Sequence, residues 1–153
     1  MKSFQTIALI SLLAIAIQDL AGAIDVKEEK WIGYYLFPGH NVKLPLYLEL
    51  KIKGNNVSGS AVDGSDEVAS VVGTIENGNY ELLLHPLKHG SSKEQDVWYR
   101  GNRRNNLIEG KWVHVVGASG PWYSELTELN AEEALRPYKT TCENVEKLIG
   151  GCK

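Results

Sequence analysis

Between Lys43 and Lys53 the chain reads K-L-P-L-Y-L-E-L-K-I-K. Leu44, Leu46, Leu48, Leu50 and Ile52 take every even position, and Lys43, Pro45, Tyr47, Glu49, Lys51 and Lys53 every odd one. Such alternation predicts a strand with one dry face and one wet face. Pro45 suits a strand end or an edge. Gly54-Asn55-Asn56 then predicts a hairpin turn, and the chain returns through Val57–Val62.

The same grammar recurs along the chain. Asp63-Gly64-Ser65-Asp66 reads as a turn, and strands follow over Glu67–Ile75 and Asn79–His85, joined by the hairpin signal Asn77-Gly78. Pro86–Glu94 is a polar loop and Gln95–Asn102 a strand. Arg103-Arg104-Asn105 reads as a turn, Asn106–Val116 as a strand, Gly117–Gly120 as a turn and Pro121–Leu129 as the last strand. With Lys30–Phe37 at the start, the reading holds eight strands joined mostly by short links, which force antiparallel neighbours. Closing such a series on itself removes exposed edges. The expected fold is therefore all-β: an eight-stranded antiparallel up-and-down barrel, with a sandwich as the alternative. From Asn130 onward the pattern turns helical, in two pieces split by Pro137.

Glycine placement favours the barrel. Gly33, Gly59, Gly73, Gly101 and Gly110 share parity with apolar neighbours, so they are expected to point inward where a strand must coil or an aromatic ring needs room. The opening Trp31-Ile32-Gly33-Tyr34 precedes Gly-containing strand motifs: Val57-Ser58-Gly59, Val71-Val72-Gly73, Trp98-Tyr99-Arg100-Gly101 and Ile108-Glu109-Gly110-Lys111-Trp112. Over residues 30–129 this pattern resembles the small exported calycin-type barrels, the group of avidin-like and lipocalin-like proteins. It is also similar to bacterial periplasmic barrels with a Trp-x-Gly start. The resemblance implies a closed meander with a ligand cavity at one mouth.

Composition narrows the class. At 153 residues the chain is expected to form one domain and can bury a core without metals or a dense disulfide framework. A hydrophobic content of 43% excludes wholesale disorder. A net charge of −3 without a Lys/Arg block offers no footprint for nucleic acid or an anionic membrane.

The N-terminus carries an address. Met1-Lys2, the apolar run Ile7–Ile17 and Ala21-Gly22-Ala23 match the three regions of a secretory signal peptide over residues 1–23. The run is roughly 16 Å long as a helix against roughly 30 Å of bilayer, so no membrane anchor is expected after cleavage. The mature chain is expected to be secreted or periplasmic, with the barrel over 24–129 and the helical tail over 130–153. Export suits an intramolecular disulfide between Cys142 and Cys152. Thr140-x-x-Glu143 looks like a capping box, and Gly150-Gly151 permits the reversal that brings the two cysteines together. Asn56-Val57-Ser58 is a glycosylation sequon at a turn.

By parity the interior holds Trp31, Tyr35, Phe37, Tyr80, Tyr99, Trp112, His114, Trp122 and Ser124 besides the aliphatics. Most of these are expected to fill an eight-stranded barrel, whose lumen just accommodates side chains. If a cavity exists, the candidate ligand-binding residues are Tyr35, Tyr99, Trp112, His114 and Trp122, aromatic groups with polar tips converging on an imidazole. No metal site is expected: His85 and His89 are spaced H-x3-H off a helix, and His40 and His114 stand alone. The acidic turn Asp63–Glu67 lacks calcium-loop spacing and reads as solvated. No catalytic residue is expected either. Gly117-Ala118-Ser119-Gly120 precedes a strand where a nucleophile elbow leads into a helix, and Glu109 and Glu125 fall on outward parity. Nothing calls for a cofactor. The expected function is non-enzymatic binding, as an inhibitor or immunity-type protein that recognises another protein through barrel loops. The alternative is a carrier of a small apolar ligand inside the barrel.

Overall fold

A computed structural model describes residues 25–39, 42–64, 67–88 and 95–138. Alternation along each segment produces eight strands: β1 (Val26–Leu36), β2 (Lys43–Lys53), β3 (Asn56–Asp63), β4 (Val68–Glu76), β5 (Asn79–Pro86), β6 (Val97–Arg104), β7 (Leu107–His114) and β8 (Ser119–Leu126). Each pairs antiparallel with the next, and β1 pairs with β8 from Trp31↔Leu126 to Tyr35↔Trp122, so the sheet is a closed barrel. Among the described residues one short helix, α1 (Ala131–Leu135), follows, continued by one 3-10 turn over Arg136–Tyr138 that contains Pro137.

The two ends of the barrel are built differently. Two-residue turns join β2 to β3, β4 to β5 and β6 to β7 at one end, the base. Asn77 and Gly78 both adopt positive φ there (51° and 80°), the geometry that a right-twisted hairpin asks of an Asn-Gly pair. The β1–β2, β3–β4, β5–β6 and β7–β8 connections are all longer and gather at the opposite end, the mouth.

Odd–even order governs the lining as the alternation requires. Trp31, Leu48, Leu50, Val71, Leu82, Ile108 and Trp122 are sealed in one cluster. Closure depends on close backbone approach at Gly33: a Cβ there would stand 1.7 Å from the Tyr123 carbonyl oxygen of β8. At Gly101 an added Cβ would lie 2.8 Å from the Ile108 methyl and 3.0 Å from both the Glu109 carbonyl oxygen and the Trp122 ring.

Several boundaries differ from the sequence expectation. β1 starts at Val26, not Lys30, and Arg103 and Arg104 end β6 instead of forming a turn. β7 stops at His114, which leaves Val115 and Val116 in the β7–β8 turn. Phe37, assigned inward by parity, lies beyond the end of β1 and is exposed, stacked on Trp112 with ring centroids 5.9 Å apart. The odd face of β2 is not uniformly wet. Pro45 and Tyr47 are buried on it, because Ala134 and Leu135 of α1 pack over Tyr47 together with Ile32, Val62 and Ala131. The Tyr47 hydroxyl donates to the Leu129 carbonyl at 3.0 Å, and Asn130 caps α1 in a reciprocal capping box with Glu133. Residues 1–23, expected to be a signal peptide, His40, His89, and Cys142 and Cys152, expected to form a disulfide, lie outside the described residues.

Candidate functional site

The base is filled and charged. Glu29 shares inward parity with Trp31, and its side chain is 2% accessible. Trp31 Nε1–H donates to Glu29 Oε2 at 3.1 Å, and the Tyr80 hydroxyl donates to the same oxygen at 2.9 Å. Arg103 Nη1 and Lys27 Nζ reach Oε1 at 2.6 and 2.7 Å. The Arg103 guanidinium also lies over the Trp31 ring, 5.0 Å from its centroid. Burial pushes the Glu29 carboxyl up, but hydrogen bonds from Lys27, Arg103 and Tyr80, aided by the Arg103 charge, outweigh it and hold the pKa below the usual value. Burial, with the Glu29 charge beside it, pushes the Tyr80 phenol up to about 12 against the opposing pull of Arg103. A carboxylate so fully satisfied closes the base.

The mouth is hollow. Ala61 of β3 and Ala69 of β4 stand directly opposite each other on the inner face, at a level where bulkier residues line the other strands. Two methyl groups in place of larger side chains leave a cavity of about 180 Å³. Leu46, Leu84 and Val97 supply apolar walls. Tyr35, Tyr99, Asp63, Glu67 and His114 bring polar groups to the same space. Burial, then the nearby Tyr35 and Asp63, push the Tyr99 phenol well above its usual range. The Asp63 carboxylate accepts the Glu67 N–H at 3.0 Å, which ties the β3–β4 connection across its own opening. His114 Nδ1 accepts the Val116 N–H at 3.2 Å.

Of the five candidate ligand residues, Tyr35, Tyr99 and His114 line this cavity. Trp112 and Trp122 do not. Trp112 donates its indole N–H to the Leu36 carbonyl at 3.0 Å, and Tyr35 packs on it edge-on with centroids 5.7 Å apart. Trp122 is wholly buried, donates to the Arg100 carbonyl at 3.0 Å and meets the Tyr99 ring edge-on at 5.2 Å. Asp63 and Glu67, expected in a solvated turn, are half-buried on the cavity wall. Parity already carried the signal for Asp63, which follows Gly59 and Ala61 at spacing two; reading it as a turn hid it. Glu29 and Arg103 escaped for the same reason, each lying just past an assumed strand end.

The rim around the cavity is apolar. Phe37, Val68, Leu87, Val115 and Val116 are exposed on the loops and strand ends of the mouth, Val116 at 73%. Below Leu87 the ends of the β5–β6 loop are clamped. His85 Nδ1 pairs with Asp96 Oδ1 at 2.5 Å, and the Asp96 carbonyl accepts the Val115 N–H at 3.2 Å. Among the described residues no group of three or more His, Cys, Asp or Glu converges as a metal site would require.

The class that the geometry defines is a closed eight-stranded antiparallel barrel with a sealed base and a hollow, loop-bearing mouth. No family model matches the chain, and neither a curated protein nor a solved structure does.

Proposed function

We propose that this is an exported, non-enzymatic binding protein of calycin type that recognises another protein through its mouth loops. The observation that carries the reading is the apolar rim. Phe37, Leu87, Val115 and Val116 on three connections and Val68 at the start of β4 are exposed at one end of the barrel. Clustered exposed apolar side chains on loops held by a rigid scaffold are the usual anatomy of a recognition surface. Export follows from the leader pattern in residues 1–23. An inhibitor or immunity-type role suits such a surface.

The test is capture of partners from the exported fraction of the source cells, using the full chain, a Leu87→Glu/Val116→Glu variant and a Val26→Glu control at the base. A saturable partner held by the wild type and the control but lost from the rim variant is the expected result. Capture indifferent to the rim, or none at all, overturns the reading. A second reading, a carrier of one small ligand, draws on the 180 Å³ cavity inside the same mouth.

A further inference from the structure

The outer wall of the barrel is uneven. Over β1–β3 the outward apolar residues Ile32, Tyr47 and Val62 pack beneath α1. Across β4–β7 the outward apolar row stays open. Val72, Leu83, Trp98 and Val113 stand side by side in register, Val72 at 54% exposure and the others half-buried. A contiguous apolar row on an outer wall, with a tryptophan at its centre, is the composition of a contact surface.

Charge indicates what covers it. The Leu83–Trp98 pair lies between two ion pairs of opposite sense. Toward the base, Glu81 of β5 holds Arg100 of β6 at 2.7 Å, with both side chains exposed. Toward the mouth, His85 of β5 pairs with Asp96 just before β6. A two-fold axis along the strands, midway between β5 and β6, sets each residue of one strand against the other strand's residue in a second copy, at the same level. Leu83 then meets the partner's Trp98, Glu81 meets the partner's Arg100, and His85 meets the partner's Asp96. Each ion pair joins its copy in a square of alternating sign. A two-fold axis perpendicular to the wall would instead set Glu81 against the partner's Asp96, like charge against like. The charge pattern therefore selects the first arrangement, which also keeps the facing strands aligned as packed sheets prefer.

We propose that the β5–β6 wall is the interface of a symmetric dimer of this chain, with Leu83 and Trp98 at its centre. The contact is isologous, so it closes at two copies and builds no filament. Because the axis runs along the strands, both mouths open toward the same end of the dimer. Their axes diverge by about twice the strand tilt, roughly 70–90°. Two mouths on one side make any target with two sites a bivalent one.

Sedimentation equilibrium of the full chain, recovered from an exporting host, tests the dimer over about 1–300 µM. A monomer–dimer equilibrium with a Kd on the order of 10 µM is expected, as suits a small contact between two convex walls. Leu83→Glu should weaken it at least about ten-fold. Glu81→Arg and Arg100→Glu alone should each weaken it about ten-fold or more, because like charges then face each other. An equimolar mixture of those two variants should pair at least as tightly as wild type, since every facing charge is then opposite. Should Leu83→Glu fail to fold by circular dichroism, the two charge variants at exposed positions decide the question.

A chain that stays monomeric throughout overturns the proposal and leaves the wall to another occupant. So does a dimer indifferent to a folded Leu83→Glu, a single reversal that does not weaken pairing, or a mixture that fails to restore it. The mouth is judged separately. A wall-dependent dimer with no captured partner sinks only the protein-recognition reading, and rim-dependent capture by a monomer sinks only the dimer.

Discussion

The two ends of one barrel solve opposite problems with the same kinds of residue. Both bury carboxylates and phenols on inward positions. At the base, Glu29 is met by Arg103, Lys27, Tyr80 and Trp31, each of which donates to one of its two carboxylate oxygens. At the mouth, Asp63 and Glu67 share the wall of a cavity with Tyr35 and Tyr99. Bulk decides the difference. The base packs Trp31, Tyr80, Ile108 and Trp122 into its layers, whereas the mouth sets Ala61 against Ala69. A charge beside a matched countercharge in a full interior is architecture. The mouth carboxylates stand beside open volume, at the end that carries the longer connections.

That contrast can be broken most forcefully at Glu29. Glu29→Ala leaves the Arg103 guanidinium and two neutral donors without their acceptor, and is expected to cost about 3 kcal/mol in urea unfolding. Asp63→Asn at the mouth should cost no more than about 1 kcal/mol, since the amide oxygen still accepts the Glu67 N–H. Similar losses at both sites would show that the mouth carboxylate is equally structural.

A smaller effect separates full from hollow by volume. Gly101→Val toward the base drives a side chain into Ile108 and Trp122 and is expected to cost about 2 kcal/mol. Ala61→Val adds volume at the cavity and should stay within about 1 kcal/mol of wild type. Thermal melts of the two variants check the ranking, and a reversed order would mean that the mouth is the tighter end.

The smallest expected effect is in acid. The folded pKa of Glu29 lies below its usual value of 4.5, so on acidification the unfolded chain takes up its proton first. The stabilisation from this group is complete above about pH 4.5 and is lost as pH falls through the folded pKa. Denaturant midpoints measured from pH 6 to pH 3 should fall more steeply for wild type than for Glu29→Gln. Parallel curves would remove Glu29 from the acid response.

Much of the fold was legible because a strand's period of two is a property of the backbone alone. Leu46, Leu48 and Leu50 face inward with Trp31, Tyr99 and Trp112, as their positions along the chain require. Asn77-Gly78 turns where its positive φ angles are cheapest. The candidate site was legible only in part. Tyr35, Tyr99 and His114 were found by parity, while Asp63 and Glu67 were hidden inside what looked like a polar turn. A charged residue at the end of an alternating run carries no local mark of whether the ladder continues past it; the partner strand settles that.

By itself, then, the sequence determined the strands, their tight turns at the base and which side chains share a face. The tertiary structure alone decided what those faces meet. Arg103 reaches Glu29 across 74 positions of sequence because closure of β8 onto β1 sets the stagger of the whole ring. Tyr47 is dry on an outward position because α1 folds back over β2. The mouth is hollow because antiparallel register brings two alanines to the same level. Alternation is written in each residue and its neighbours, but register, coverage and empty volume arise only when distant segments are brought side by side.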